Sequence, residues 1–275
     1  MIKENKFHPG KKPLHKFPTA GKKLCKLNDK ELEEETHELG VRLGELQELI
    51  YAESKQKVLI VLQGLDTSGK DGTVKHVFSE TNPQGVRVVS FKQPTDIEKR
   101  HDYLWRIHQQ TPALGEMVIF NRSHYEDYII PAVHKTLPPK KIERRIKEIN
   151  HFEDMLLSEG VTLFKFFLHI SRKEQAQRIQ ERLNNPKKHW KFSLSDLNER
   201  QFWDQYQKAY DTILKATHHK DRPWDIIPAD DKKIRNYEIS NILVQRLEKL
   251  KPEFPMMDHN VIRKIKSEAA KILRF

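Results

Sequence analysis

The strongest constraint on the fold is the stretch KVLIVLQGLDTSGKDG at residues 57–72. Its unbroken apolar run predicts a strand buried on both faces, as in a parallel sheet covered by helices. The run leads into two glycines and a lysine in the order G-x-x-x-x-G-K, followed by a predicted helix over 70–81. Loop amides and a helix N-terminus arranged this way surround phosphate oxygens. The stretch therefore predicts a phosphate-binding loop at one edge of an α/β sheet.

Strands and helices continue to alternate along the chain. Apolar segments predict four further strands, at 85–92, 116–121, 161–171 and 224–230. Helical patterns lie at 28–55, 96–110, 139–159, 172–184, 195–217 and 231–250. This alternation predicts one three-layer α/β/α domain over residues 28–250, with a five-stranded parallel sheet as its core. Residues 1–27 carry eight lysines and one glutamate and are interpreted as a basic arm, and residues 251–275 as a basic tail.

Composition narrows the class of partner. The net charge of +11 indicates either a polyanionic partner or simple solubility. A single cysteine, Cys25, allows no intrachain disulfide and fits a reducing compartment. The first residues lack the apolar core of a secretory signal, and no apolar run is long enough to span a bilayer. A cytoplasmic protein without a membrane partner is expected.

Several loop residues are candidates for phosphate contacts. Gly64, Gly69 and Gly72 would let the backbone approach phosphate closely, and Lys70 would supply a positive charge. The other candidates in this segment are Thr67, Ser68 and Lys75.

Two carboxylates in the same loop would repel bare phosphate. Asp66 lies inside the loop, and Asp71 follows the lysine, where Ser or Thr usually helps to hold Mg²⁺. A divalent cation between carboxylate and phosphate would remove this conflict, because Mg²⁺ prefers oxygen ligands. Asp66 is the better ligand candidate. Asp71 would cap the helix, bind a neighbouring cation or contact a nucleotide.

A second polar cluster follows the predicted strand at 116–121. Because functional groups gather at the carboxyl ends of parallel strands, Arg122 is expected to bind phosphate there. Asp127 or Glu126 would complete a metal site, and Asn121, Tyr125 and Glu126 are candidate nucleotide contacts. The alternative is a helix start capped by Ser123, with Glu126 closing a capping box.

The third cluster is basic and follows the fourth predicted strand. Residues 172–191 carry seven Lys or Arg and two Glu, and Arg178 and Arg182 share one helix face. The further candidates for phosphate binding are Lys187, Lys188 and Lys191. A segment of about 172–217 would form a lid over reacting phosphates. The alternatives are an ordinary solvated helix, or nucleic-acid binding through basic residues interleaved with aromatics.

Five blocks along the chain resemble the polyphosphate kinase 2 family, in the same order and spacing. They are GLDTSGKDG (64–72), FKQPTDIEKRHDYLWRIH (91–108), FNRSHYEDY (120–128), PKKHWKFSLSDLNERQFWDQYQKAYDTIL (186–214) and RPWDIIPADDKKIRNYEISNIL (222–243). The resemblance implies a P-loop kinase core with a helical lid. It also implies phosphoryl transfer between inorganic polyphosphate and a nucleotide, dependent on Mg²⁺ with Mn²⁺ as an alternative ion.

The resemblance also implies roles for particular residues. Asp66 and Asp127 would hold the metal, and Lys70 and Arg122 would neutralise the phosphates in transfer. Arg178 and Arg182, with Lys187, Lys188 and Lys191, would form the lid and the polyphosphate channel. Arg122 is the first candidate for the arginine that acts in the transition state, and Arg178 is the next.

The resemblance also bears on the acceptor nucleotide and on the oligomeric state. The block FNRSHYED resembles the subgroup that acts on both AMP and ADP. Segment 217–224 passes near the base in this family and has Arg222 where a small residue is common, so adenine and guanine both stay open. A homodimer or homotetramer is expected, and nucleic acid is not expected as a partner.

Two other functions compete with this interpretation. An ATP-dependent nucleotide or nucleoside kinase could use the same fold, but Asp71 stands where such enzymes place Ser or Thr. A polyanion-binding protein without catalysis would explain the charge, but Asp66 and Asp127 would repel a bare polyanion.

Overall fold

The computed structural model describes residues 8–10, 12–22, 25–191 and 194–273. Five parallel strands form one sheet in the order β2-β3-β1-β4-β5. The strands are β1 (Lys57–Gln63), β2 (Val86–Ser90), β3 (Met117–Asn121), β4 (Val161–His169) and β5 (Trp224–Pro228). The helices are α1 (Asp29–Glu53), α2 (Lys70–Val77), α3 (Trp105–His108), α4 (Glu126–His134), α5 (Pro139–Ser158), α6 (Arg172–Leu183), α7 (Leu194–Gln201), α8 (Trp203–Thr217), α9 (Lys232–Glu248) and α10 (His259–Leu273). The predicted fold class is confirmed.

The sheet positions the site because its central strands end side by side. β1 lies between β3 and β4, and Leu62 near its end is in register with Asn121 at the end of β3. The loop after β1 and the loop after β3 therefore leave the sheet at the same edge.

Helix α1 packs against α9 along one face, as its apolar stripe predicts. Leu43, Leu46 and Ile50 are buried in the core of the chain, so these three are not available for an interface with a partner. Asn28 caps the helix and forms a capping box with Glu31.

Two predicted helices and one predicted helix cap differ from the observed ones. The helix predicted over 96–110 is wrong, because Asp102 accepts hydrogen bonds from the amides of Leu104 and Trp105 and only the short α3 follows. The helix predicted over 195–217 is interrupted after Gln201. The capping box at Ser123 is also wrong, since α4 begins later and Tyr125 occupies its N-cap without a side-chain bond.

The described part of the N-terminal arm lies against the core. Leu14 and Phe17 are buried, and the Leu14 amide donates to Asp211 at 2.6 Å. The Asp230 amide donates to the Thr19 carbonyl at 3.0 Å. Residues 14–19 therefore pack against the domain.

The C-terminal tail, interpreted above only as basic, contains the helix α10. None of the described residues of α10 is buried. Among the described helices, none combines the length and apolarity needed to cross a membrane.

Candidate active site

Glycine is required at two positions of the phosphate loop between β1 and α2. Gly64 and Gly69 have φ angles of +152° and +102°, which side chains rarely adopt. A Cβ on Gly64 would lie 2.8 Å from the Leu168 carbonyl oxygen, and one on Gly69 would lie 2.1 Å from Arg235 Nη1. The loop therefore keeps its shape only with glycine at these two places.

Lys70 at the start of α2 is folded back onto its own loop. Its Nζ donates to the carbonyl oxygens of Gly64 at 2.7 Å and Leu65 at 3.2 Å. Burial, followed by the nearby Arg122 charge, lowers the pKa of Lys70 to about 8. The hydroxyls of Thr67 and Ser68 are buried without a hydrogen-bond partner among the described residues, so the loop has donors ready for a ligand.

The lowered pKa of Lys70 predicts a loss of activity at alkaline pH. The ammonium attracts phosphate below pH 8 and becomes neutral above it, so kcat/KM for the phosphate donor should fall by up to about tenfold per pH unit above that point. Steady-state rates between pH 7 and 10 test this, with thermal unfolding at each pH as the stability control. Lys70→Arg stays charged and should remove the alkaline fall at a lower overall rate. A wild-type profile that stays flat up to pH 10 would contradict the role of Lys70.

Arg122 and Asp66 form an ion pair over the loop. Arg122 Nη2 and Asp66 Oδ1 are 2.5 Å apart, and both side chains are partly exposed. Arg122 has a φ of 64°, an uncommon value for a residue with a side chain, and its amide donates to the Leu62 carbonyl at 3.1 Å. Such backbone strain is often found at functional sites. Glu126 lines a small recess together with Asp66 and Arg122, and burial of the Glu126 carboxyl raises its pKa.

The structure separates the two carboxylates that were expected to share a metal. Asp127 Oδ2 lies 3.4 Å from Arg106, and Asp127 Oδ1 lies 3.8 Å from Arg145. Burial raises the pKa of Asp127, and these two arginines oppose the shift. No group of three or more His, Cys, Asp or Glu suited to a metal occurs among the described residues. Asp66 lines the cleft at the phosphate loop, whereas Asp127 lines a different cavity.

Three other predicted residues have different surroundings from those expected. Asp71 accepts a hydrogen bond from Asn121 at 2.9 Å beside the loop. Tyr125 is fully buried with its hydroxyl 2.5 Å from Glu153, so we correct its role from nucleotide contact to core support. Lys75 is exposed on α2 and does not line the large cleft at the phosphate loop that is described below.

Arg222, in the segment that the resemblance places near the base, is buried. It is 5 % exposed and pairs with Glu153 and Asp154 at 3.2 and 2.9 Å. It therefore belongs to a buried charge network rather than to a base pocket.

Arg178 on α6 supports the loop instead of projecting from a lid. Its guanidinium donates to the carbonyl oxygens of Thr67 and Ser68 at 3.0 and 2.9 Å, and to those of Ala229 and Asp230. Its Nε donates to Glu174 at 2.7 Å. The arrangement leaves Arg178 little capacity to bind a phosphate directly, and it shapes the loop that does.

The other basic residues of the predicted lid segment differ in their surroundings. Arg182 lines the cleft and makes no ion pair with any described residue. Lys187 is exposed in the turn after α6. The side chains of Lys188 and Lys191 lie outside the described residues, so their predicted phosphate contacts stay predictions.

Two large cavities meet at this edge of the sheet. The cleft at the phosphate loop has a volume of about 1010 Å³ and is lined by eight Lys or Arg and four acidic residues. The second cavity has about 770 Å³, with six Lys or Arg and four acidic residues, including Asp127. Arg106 lines the second cavity and donates to the Lys92 carbonyl in the wall of the first at 2.8 Å.

Sequence reasoning missed four arginines of these walls. They are Arg106, Arg144, Arg145 and Arg235. For Arg235 a signal was present, because it follows the last predicted strand, whose carboxyl end lies at the edge where the phosphate loop lies.

The chain was compared with known proteins. The family model "Polyphosphate kinase 2 (PPK2)" matches residues 26–255. An AMP/ADP-polyphosphate phosphotransferase of Meiothermus ruber is 52% identical over 217 residues, which cover 79% of this chain and 81% of that protein. An ADP-polyphosphate phosphotransferase of Rhodopseudomonas palustris is 38% identical over 92% of this chain and 93% of its own.

A solved structure agrees with these matches. The crystal structure of polyphosphate kinase 2 from Arthrobacter aurescens superposes with a TM-score of 0.91 at 36% identity, covering 96% of each chain. Matches of this extent in both sequence and structure place the chain in the polyphosphate kinase 2 family.

Proposed function

We propose that the protein transfers a phosphoryl group reversibly between inorganic polyphosphate and a nucleoside mono- or diphosphate. The observation that carries this proposal is the cleft at the phosphate loop, which is lined by eight Lys or Arg, Lys70 and Arg122 among them. Such a cleft suits a long polyanion. The names of the relatives from Meiothermus ruber and Rhodopseudomonas palustris support polyphosphate as donor and AMP or ADP as acceptor.

The second cavity is the proposed site of the nucleotide. The Arg145 guanidinium lies 4.2 Å from the Tyr103 ring centre, and the Tyr103 hydroxyl and Arg145 Nε are buried without partners among the described residues. A nucleotide offers both a flat base and phosphate oxygens to such groups. Arg106 would hold the acceptor phosphates where the two cavities meet. Adenine is the expected base, and guanine stays open because one relative is a GDP-polyphosphate phosphotransferase of Pseudomonas aeruginosa.

The reaction needs positioning more than covalent chemistry. A terminal phosphate oxygen of the nucleotide would attack the terminal phosphorus of polyphosphate, and the bond to the bridging oxygen would break. The shortened polyphosphate leaves with the electron pair of that bond. Lys70 and Arg122 would neutralise the charge that spreads over the transferred group. The attacking oxygen is already ionised, so no protein base is required.

The residues at the loop fit Mg²⁺ as the cofactor, with Mn²⁺ as an alternative ion. Mg²⁺ is commonly bound by one or two carboxylates together with substrate phosphates and waters. Asp66 has a partly exposed carboxylate beside two hydroxyls that lack partners. When bound, the ion would supply charge neutralisation between donor and acceptor phosphates. Asp127 would join it only by leaving Arg106 and Arg145, so its role as a ligand rests on the family resemblance.

The test is an assay of product nucleotides. The purified protein is incubated with Mg²⁺, long-chain polyphosphate and AMP or ADP, and parallel reactions replace polyphosphate with ATP. ATP formed from ADP with polyphosphate alone supports the proposal, and conversion of AMP to ADP and ATP supports both acceptors. Transfer only from ATP would favour an ATP-dependent nucleotide kinase. Polyphosphate binding without any transfer would favour a non-catalytic binder, which should also keep its affinity in Asp66→Asn.

We further propose a homodimer or homotetramer. This proposal is supported by α10, on which the apolar side chains of Val261, Ile265 and Ile272 are 47, 52 and 75% exposed. Exposed apolar stripes of this kind commonly mark protein interfaces. A monomeric mass by light scattering across the working concentration range would overturn this proposal.

A further inference from the structure

Helix α6 holds three successive carbonyl oxygens of the phosphate loop. Arg178 donates to those of Thr67 and Ser68 at 3.0 and 2.9 Å. Gln175 lies three residues earlier on the same face of the helix, and its Nε2 donates to the Asp66 carbonyl at 3.1 Å. Gln175 is only 3 % exposed, so water competes little for this hydrogen bond. The helix therefore fixes the direction of three peptide groups in the loop.

The Asp66 carbonyl shares its peptide group with the Thr67 amide. The described peptide bonds are all trans, so the C=O and the N–H of one peptide group point in opposite directions. The Thr67 amide has no acceptor among the described residues. Thr67 lines the cleft at the phosphate loop, whereas Gln175 does not. Holding the Asp66 C=O towards α6 therefore directs the Thr67 N–H into the cleft, where it can donate to a phosphate oxygen.

The backbone at Thr67 needs an outside contact to keep this direction. Its φ of 64° is uncommon for a residue with a side chain, and such a conformation persists only where the surroundings maintain it. The hydrogen bonds from Gln175 and Arg178 lie on the two peptide groups that flank Thr67. Both contacts are thus placed where they can maintain the strained backbone.

Arg200 near the end of α7 decides which end of the Gln175 amide faces the loop. Its Nη1 donates to Gln175 Oε1 at 2.5 Å, and its Nη2 donates to the Arg172 carbonyl at 3.1 Å. The reversed amide would set Oε1 against the Asp66 carbonyl oxygen and Nε2 against a guanidinium N–H, and both contacts repel. Since α7 belongs to the predicted lid segment, this contact joins that segment to the phosphate loop.

We propose that Gln175 is a positioning residue that couples α7 to the phosphate loop, because Arg200 orients its amide and the amide aims the Thr67 N–H at the phosphoryl group in transfer. The inference rests on the proposed function and adds two residues that act on the reaction through the loop. Charge spreads over the equatorial oxygens of the transferred group, so an aimed amide lowers the barrier more than it tightens substrate binding. The loop is complete only while α7 packs against α6.

The direction of the Thr67 amide can be measured without turnover. In protein labelled with ¹⁵N-threonine, the amide peak that disappears in Thr67→Ser belongs to Thr67. Tripolyphosphate added without nucleotide should move this peak downfield in the wild type, as a new hydrogen bond to phosphate would. Gln175→Met has a side chain of similar length without a donor, and it should lose most of this shift.

Steady-state rates test the coupling to Arg200. Gln175→Met should lower kcat by about tenfold or more, as expected for a lost buried hydrogen bond, and change the KM for the nucleotide less than about twofold. Arg200→Met should give a smaller loss in the same direction, and Arg200→Lys should recover part of it because a donor remains. In the Gln175→Met background, Arg200→Met should add less than about twofold, since it acts through Gln175.

Two controls separate positioning from folding. Gln177→Met changes an exposed glutamine of the same helix and should leave both the Thr67 shift and kcat unchanged. Thermal unfolding of each variant shows whether the measurements refer to folded protein. Arg200 is half-buried, so its variants carry the test even if Gln175→Met does not fold.

Each outcome decides for or against the positioning role. A Thr67 shift that is absent in the wild type, or unchanged in Gln175→Met, would overturn the proposal. Rate losses that multiply in the double variant would overturn it too, because Arg200 would then act independently of Gln175. If the wild type shows the Thr67 shift and Gln175→Met loses it, but no phosphate reaches AMP or ADP, the proposed function fails while the control of the loop by Gln175 stands.

Discussion

Replacing Arg122 with glutamine is expected to lower kcat by about 10³-fold or more, with the KM values for both substrates changed little. Arg122 lines the cleft at the phosphate loop together with Lys70, and its backbone has the uncommon φ of 64° in the turn after β3. A charge that is pre-positioned in this way costs no reorganisation during transfer. Initial rates at saturating polyphosphate and ADP measure the effect.

Two further variants make this result specific. Arg122→Lys retains a positive charge without the planar fork and should recover only part of the lost rate. Arg42→Gln removes another arginine paired with acids, on the exposed side of α1, and should leave kcat unchanged. A rate for Arg122→Gln within about tenfold of the wild type would show that Arg122 does not act in the transition state.

Glu153→Leu is expected to destabilise the fold by about 3–5 kcal/mol, because it leaves buried positive charges without a partner. Glu153 is fully buried and pairs with Lys165 at 2.7 Å and Arg222 at 3.2 Å. Burial alone would raise the pKa of Glu153, but Lys165 and His124 hold it below its ordinary value. The variant keeps a similar volume and removes the negative charge. Urea unfolding followed by circular dichroism measures the difference in free energy.

Matched variants test the cause of this loss. Glu48→Leu replaces an exposed glutamate of α1 and should change stability by less than about 0.5 kcal/mol. Glu153→Leu combined with Lys165→Met removes both main charges and should recover part of the stability. If the double variant is no more stable than Glu153→Leu alone, the loss comes from packing and not from an unpaired charge.

The sequence predicts the part of the site whose residues lie close together along the chain. Residues 57–72 contain the strand, the glycines and the lysine together, so their spacing predicted the loop. The helical spacing of Leu43, Leu46 and Ile50 likewise indicates one apolar face of α1, and all three residues are buried.

Contacts between distant segments could not be predicted. Arg178 meets Thr67 across 111 positions, and only the packing of α6 against the loop reveals that its donors are already used. Neighbouring helical residues also point about 100° apart, and this rotation directs Glu126 towards the loop and Asp127 towards the other cavity. A sequence pattern places both acids near the site but cannot assign them to different substrates.

The N-terminal segment has an effect on the site that its position in the sequence hides. Asp230 accepts at its side chain from the Ser171 amide, donates its own amide to Thr19 and accepts at its carbonyl from Arg178. Thr19 is thus connected to the phosphate loop through Asp230 and Arg178. Removing residues 12–22 is therefore expected to alter the loop, and with it the catalytic rate, without removing a residue that lines the cleft.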